Sequence, residues 1–120
     1  VHIASRHIDR TTVAEPAGRI DHLSAAAFEA ALDPLLAQAG SGALVLDLSG
    51  VDYISSVGLR ALMLAARRMQ QGQGRLLVTG LQSVVAEIFK ISRFDRILDI
   101  APTLAVALAR ARGDNAASAA

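Results

Sequence analysis

Among the side chains whose types and spacing could support chemistry, the pair Ser55-Ser56 stands out. It falls where a loop turns into a helix, shortly after the apolar run Ala43-Leu44-Val45-Leu46-Asp47-Leu48. A serine at such a point ordinarily caps the helix, because its hydroxyl accepts a hydrogen bond from a first-turn amide that has no partner inside the helix. Two details exceed a plain cap. No Glu or Gln occupies the capping-box position, since Gly58 and Leu59 stand three residues after Ser55 and Ser56. Gly58 also falls in the first turn, where glycine costs about 1 kcal/mol relative to alanine, and a glycine there often leaves room for something to approach. As a hydrolase nucleophile Ser56 would need a base within hydrogen-bond reach, and no histidine lies near it in sequence.

The remaining candidates read as structural. His2, His7 and His22 form no i, i+4 metal pair and stand near no G-x-S-x-G elbow. Asp47 ends a buried strand, as the phosphoacceptor aspartate of a receiver domain does, but the acidic pair and the later lysine expected beside it are missing. The single lysine, Lys90, lies near the end of a helix rather than after a glycine loop, which argues against a nucleoside triphosphatase. Gly72-Gln73-Gly74 lies between a helix and a strand, the wrong order for a dinucleotide turn, and reads as a helix stop.

Composition narrows the function classes. With 120 residues the chain is expected to form one domain around one core, and at 52% apolar but 3% aromatic that core must be built from Ala, Leu, Val and Ile. Four rings, Phe28, Tyr53, Phe89 and Phe94, give single-stranded nucleic acid little to stack on. Eleven arginines and one lysine against eleven acids leave a net charge of +1 with no basic stripe, so no nucleic acid partner is expected. The absence of cysteine excludes disulfides and thiolate chemistry. No run approaches a membrane span and no signal-peptide pattern opens the chain, so a cytoplasmic location without a membrane partner is expected. The chain begins at Val1 rather than methionine, which keeps a larger parent protein open.

The elements that must position Ser56 follow from periodicity. Ile3, Ile8 and the stretch 12–17, ended by Gly18, predict one or two opening strands. Ser24 is expected to cap a helix from Ala25 to Ala39 with Ala27, Phe28, Ala31, Leu32, Leu35 and Leu36 at three- and four-residue intervals. Residues 43–48 read as a central strand buried on both faces, 49–54 as a loop, and 56–71 as a helix with Leu59, Leu62, Met63, Ala66 and Met69 inward. A strand over 75–79, a helix from Ser83 to about Ile91 with Val84, Val85, Ile88 and Phe89 inward, a short strand over 96–98 and a last helix from Pro102 or Thr103 to about Arg112 complete the domain. Such alternation predicts an α/β domain with a mixed, mostly parallel sheet of four or five strands and about four helices over residues 1–112. The tail, 113–120, has no apolar face to dock and is expected to be disordered.

On these residues the chain resembles the STAS domain, and within it the bacterial anti-sigma factor antagonists. Gly18-Arg19-Ile20-Asp21 is similar to the family's glycine-acidic-aliphatic-aspartate turn, with Arg19 in the acidic place. Leu44-Val45-Leu46-Asp47-Leu48-Ser49 resembles the strand before the phosphorylation loop, and Ile54-Ser55-Ser56-Val57-Gly58-Leu59 resembles that loop. The family pattern is Asp, phosphorylated Ser, Ser or Thr, then Gly-Leu; Ser56 falls at the phosphoacceptor, while Ser55 replaces the Asp and Val57 the second hydroxyl.

The resemblance implies a non-enzymatic partner-switching module with no cofactor and no metal. Its partners would be an anti-sigma factor with serine kinase activity and a phosphatase acting on phosphorylated Ser56. It also implies that Asp21, Ser55, Val57, Gly58, Arg60 and Arg67 lie in the partner-binding region; on residue types alone, Arg60, Leu64, Arg67 and Gln71 are equally an ordinary solvated helix face. A phosphoryl group at a helix N-terminus can be held by free amides and the helix dipole. Its charge of about −1.5 to −2 would change a flat docking surface. The alternative implied by other members of the family is a ligand-sensing or regulatory domain of a larger protein, binding nucleotide or lipid or attached to an anion transporter.

Overall fold

The computed structural model describes residues 2–113, so the expectation about the tail lies outside the described residues except at Gly113. Strands β1 (His2–Ile8) and β2 (Thr11–Ile20) form an antiparallel hairpin in which Ile8 pairs with Thr11. Its two-residue turn places Asp9 at φ 56°, a left-handed conformation that Asp tolerates better than most side chains. β2 does not stop at Gly18. That glycine, at φ 97°, sits at a register shift between Gly18 and Arg19, so the strand bulges and continues to Ile20.

Helix α1 (Ala25–Ala39) leads to β3 (Ala43–Asp47), which pairs in parallel with the first half of β2. The segment expected to be a loop is instead a strand, β4 (Gly50–Ile54), parallel to the second half of β2. Ser49, Gly50 and Asp52 look like turn residues in sequence, but Val51 and Ile54 are buried and the free edge of the continued β2 supplies the backbone partners. Helix α2 (Ser56–Gln71), β5 (Arg75–Thr79) and helix α3 (Ser83–Ser92) follow. The short strand expected over 96–98 is displaced. Phe94–Arg96 forms a 3₁₀ turn, and β6 (Asp99–Ile100) pairs with Leu77 and Val78 of β5. Helix α4 (Leu104–Ala111) closes the described chain, with the Thr103 hydroxyl accepting from the Val106 amide at 3.1 Å. The sheet is mixed and mostly parallel, in the order β1-β2-β3-β5-β6 with β4 on β2, and β4 brings it to six strands.

Strand alternation divides the apolar residues between two faces. Ala14, Leu44, Leu46, Leu76 and Val78 join Phe28, Leu32, Leu59, Leu62, Val85 and Phe89 from α1, α2 and α3. Val13, Ala43, Val45 and Leu77 face the other way, against Ala101, just after β6, and Ala107 of α4. The single expected core is therefore two clusters with the sheet between them. Two helix faces also differ from expectation. Ala65 is buried on α2 while Met63 and Ala66 are half-buried, and Val84 of α3 is 55% exposed.

Candidate functional site

The site is built where β2 and β4 end side by side. The Ile20 carbonyl accepts the Ser55 amide at 2.8 Å, so the chain leaving β4 is tied to β2 before it turns into α2. Ser55, not Ser56, is the cap: its backbone is extended and its hydroxyl accepts from the Gly58 amide at 3.3 Å. Ser56 is the first helical residue, is exposed, and its hydroxyl has no protein partner among the described residues. Capping, its expected ground-state use, belongs to its neighbour.

Gly58 has a different role from the one expected. It is buried, and a Cβ there would lie 2.7 Å from Ile54 Cγ1 and 2.8 Å from Ile20 Cγ2. What approaches this glycine is the floor of the domain itself, so Gly58 sets how closely α2 seats on β2 and β4 rather than offering a surface to a partner. Val57, by contrast, is 44% exposed, and Arg60 and Arg67 continue along the solvent side of α2.

The loop from Asp21 to Ser24 borders this site through Ile20. Ser24 stands at the N-cap position of α1 but makes no side-chain cap; its hydroxyl donates to the Arg19 carbonyl at 2.8 Å and accepts from the Asp21 amide at 2.9 Å. Asp21 takes over the turn by accepting from the amides of Leu23 and Ser24 at 3.0 and 3.2 Å and from Arg19 Nε at 2.8 Å. Desolvation pushes the Asp21 carboxyl up, and the bonds from Arg19, the two amides and the Ser24 hydroxyl outweigh it, holding the carboxyl below its usual range. The bulge at Gly18 pairs Arg19 with Tyr53, and the Arg19 guanidinium lies 4.1 Å from the Tyr53 ring centroid.

Sequence reasoning missed Leu23 and Tyr53. Leu23 precedes the α1 cap, the usual place of a residue stapled to the helix, yet it is 82% exposed; no local pattern marks it as a surface residue. Tyr53 falls in a segment whose residue types predict a loop, and only the pairing of β4 brings its ring under Arg19. The two structural readings are consistent with the geometry: Asp47 accepts the Ser49 amide at 3.0 Å, and His7 Nδ1 lies 3.2 Å from the Thr12 hydroxyl.

A mixed sheet covered by helices, with a serine loop feeding the helix after β4, defines the STAS type of domain. The STAS domain family model matches residues 2–107, and the chain belongs to this family. BtrV of Bordetella bronchiseptica, provisionally named an anti-sigma factor antagonist, is 45% identical over 62 residues, 52% of this chain and 53% of BtrV. The match thus spans about half the length of that relative. A solved anti-sigma factor antagonist from Mycobacterium paratuberculosis is 28% identical, with a TM-score of 0.82 over 92% of this chain and 93% of that one. The anti-sigma factor antagonist SpoIIAA in its unphosphorylated form shares the fold, with a TM-score of 0.74 at 19% identity over 93% of this chain and 97% of its own. No helix among the described residues is long and apolar enough to cross a membrane.

Proposed function

We propose that this domain is an anti-sigma factor antagonist that switches partners through Ser56. With Ser56 unmodified, the surface around it binds an anti-sigma factor that is also a serine kinase, which frees a sigma factor. Phosphorylation of Ser56 ends that association, and a phosphatase resets it. The domain supplies the acceptor hydroxyl and the docking surface and catalyses nothing itself.

The observation that carries this reading is the division of labour between the two serines. Because Ser55 holds the helix cap, the exposed Ser56 hydroxyl is available to a kinase without undoing the start of α2. The exposed Val57 next to it and the exposed Leu23 of the loop after β2 offer a partner apolar contact, and Asp21, Arg60 and Arg67 supply charge. A phosphoryl group on Ser56 would add about −1.5 to −2 charge at this surface, enough to repel acidic groups and to hold water in a contact that had been dry. That SpoIIAA has been solved in a phosphorylated form, at 17% identity and a TM-score of 0.65, agrees with a switch of this kind on this fold.

The test is phosphate incorporation by the cognate kinase into wild type, Ser55→Ala and Ser56→Ala, with calorimetric binding of each form and of Ser56→Asp. The expected pattern is loss of labelling only in Ser56→Ala and weakened binding in Ser56→Asp. Equal labelling of wild type and Ser56→Ala removes Ser56 as the acceptor.

A further inference from the structure

At the end of the sheet away from Ser56 lies a cavity of about 440 Å³, bounded by the β1–β2 turn, the α1–β3 loop, the start of β5 and the end of α4. This is within the range of about 300–1,000 Å³ of small-molecule sites. Its floor is one cross-strand row, Thr11, Ala43 and Arg75, paired in register across β2, β3 and β5. The next row, Val13, Val45 and Leu77, is covered by α4, whose last residue, Ala111, lines the cavity over the first. The rim is held closely: a Cβ on Gly42 would collide with the Arg10 carbonyl, and one on Gly74 would lie 2.8 Å from the Gly42 carbonyl.

Two features of the lining point to a ligand. Thr11 is only 4% exposed, yet its hydroxyl has no hydrogen-bond partner among the described residues. No side-chain oxygen among the described residues is both fully buried and unpaired, so the Thr11 oxygen keeps some exposure, and its residue lines the cavity. The second feature is a guanidinium without an ion pair. Arg10, Arg75 and Arg112 line the cavity with Asp9, and Arg75 is fixed in place by its bonds to Asp99 at 2.9 Å and to the Arg110 carbonyl at 2.7 Å. Asp99 takes Arg110 on its other oxygen, also at 2.9 Å, so that carboxylate is shared between two guanidinium groups. Arg10 has no ion-pair partner among the described residues.

We propose that this cavity binds a small organic oxyanion, its charged group met by Arg10 and the Thr11 hydroxyl and its body resting on Ala43 and Ala111. Guanidinium and hydroxyl donors in a recessed, partly apolar site favour phosphate or carboxylate over a neutral ligand. Thr11 and Ile20 are separated by roughly 30 Å of strand, so this site is distinct from the Ser56 surface and does not depend on the reading of that surface.

The experiment is an NMR titration of the isotopically labelled chain with ribose 5-phosphate and, separately, with citrate, which distinguishes a phosphate from a carboxylate ligand. Saturable shifts at the amides of Thr11, Ala43, Gln73 and Arg75 with at least one probe are expected. Arg10→Gln should weaken that binding about tenfold or more, the loss of one charge-assisted hydrogen bond, and Thr11→Val should weaken it without lowering the melting temperature. Binding that Arg10→Gln leaves unchanged overturns the proposal. So do shifts centred on Ser55–Gly58, or no saturation by either probe in the millimolar range.

Discussion

Replacing Gly58 by alanine tests how the site is seated. Two effects oppose each other. Alanine in place of glycine in a helix stabilises it by about 1 kcal/mol. Against this, the new methyl would meet Ile54 Cγ1 at 2.7 Å, Ile20 Cγ2 at 2.8 Å and the Ile20 carbonyl at 3.3 Å. Ile20 and Ile54 are 0% and 1% exposed, so neither side chain has free volume to rotate into, and the carbonyl is tied to the Ser55 amide. Overpacking of this kind costs about 1–3 kcal/mol, and a closed site belongs at the upper end. The net expectation is a loss of about 1–2 kcal/mol. With about 2.1 cal/mol/K per residue of unfolding entropy, about 0.25 kcal/mol/K for 120 residues, this lowers the melting temperature by about 4–8 °C. Calorimetric or circular-dichroism melting of the purified variant reads it directly. A Gly58→Ala variant as stable as the wild type, or more stable, would refute the claim that α2 seats on β2 and β4 through this glycine.

The two serines should separate in stability. Ser55→Ala removes a cap and should cost about 1 kcal/mol, while Ser56→Ala should stay within about 0.5 kcal/mol of wild type in urea unfolding. Asp21 has a carboxyl held below its usual range, so its contribution is present above the unfolded-state value and is lost as pH falls through the lower folded value. Acid unfolding of Asp21→Asn should therefore lack a loss of stability that the wild type shows below about pH 4. Arg60 lies one turn after Ser56 on the exposed side of α2, a spacing that lets it pair with a phosphoryl group on Ser56. The second ionisation of that phosphate, followed by ³¹P NMR, should occur at lower pH in the wild type than in Arg60→Gln, and identical midpoints would exclude the pair.

Legibility in the sequence varied with the range of the interactions involved. The bounds of α1 and β5 are set by local signals: Gly40-Ser41-Gly42 ends α1, and Gly72-Gln73-Gly74 and Gly80 flank the apolar run of β5, so both elements stand where the sequence predicts. β4 was not legible, because its residues carry turn chemistry and its strand character comes entirely from a partner more than thirty residues earlier in the chain. The short strand near residue 97 was misplaced for a similar reason: β6 is two residues long and is defined by what it pairs with on β5.

At the site, the sequence by itself determined that a serine pair would start the helix after the central strand, because serine favours the helix cap and Leu59, Leu62 and Met69 recur at helical spacing beyond it. Which serine would cap and which would face solvent was decided only by tertiary structure. The bond from the Ser55 amide to the Ile20 carbonyl sets the chain direction entering α2, and burial of Gly58 against Ile20 and Ile54 sets its rotation. Both involve Ile20, more than thirty residues earlier in the chain, and together they leave Ser56 exposed with a hydroxyl unpaired among the described residues.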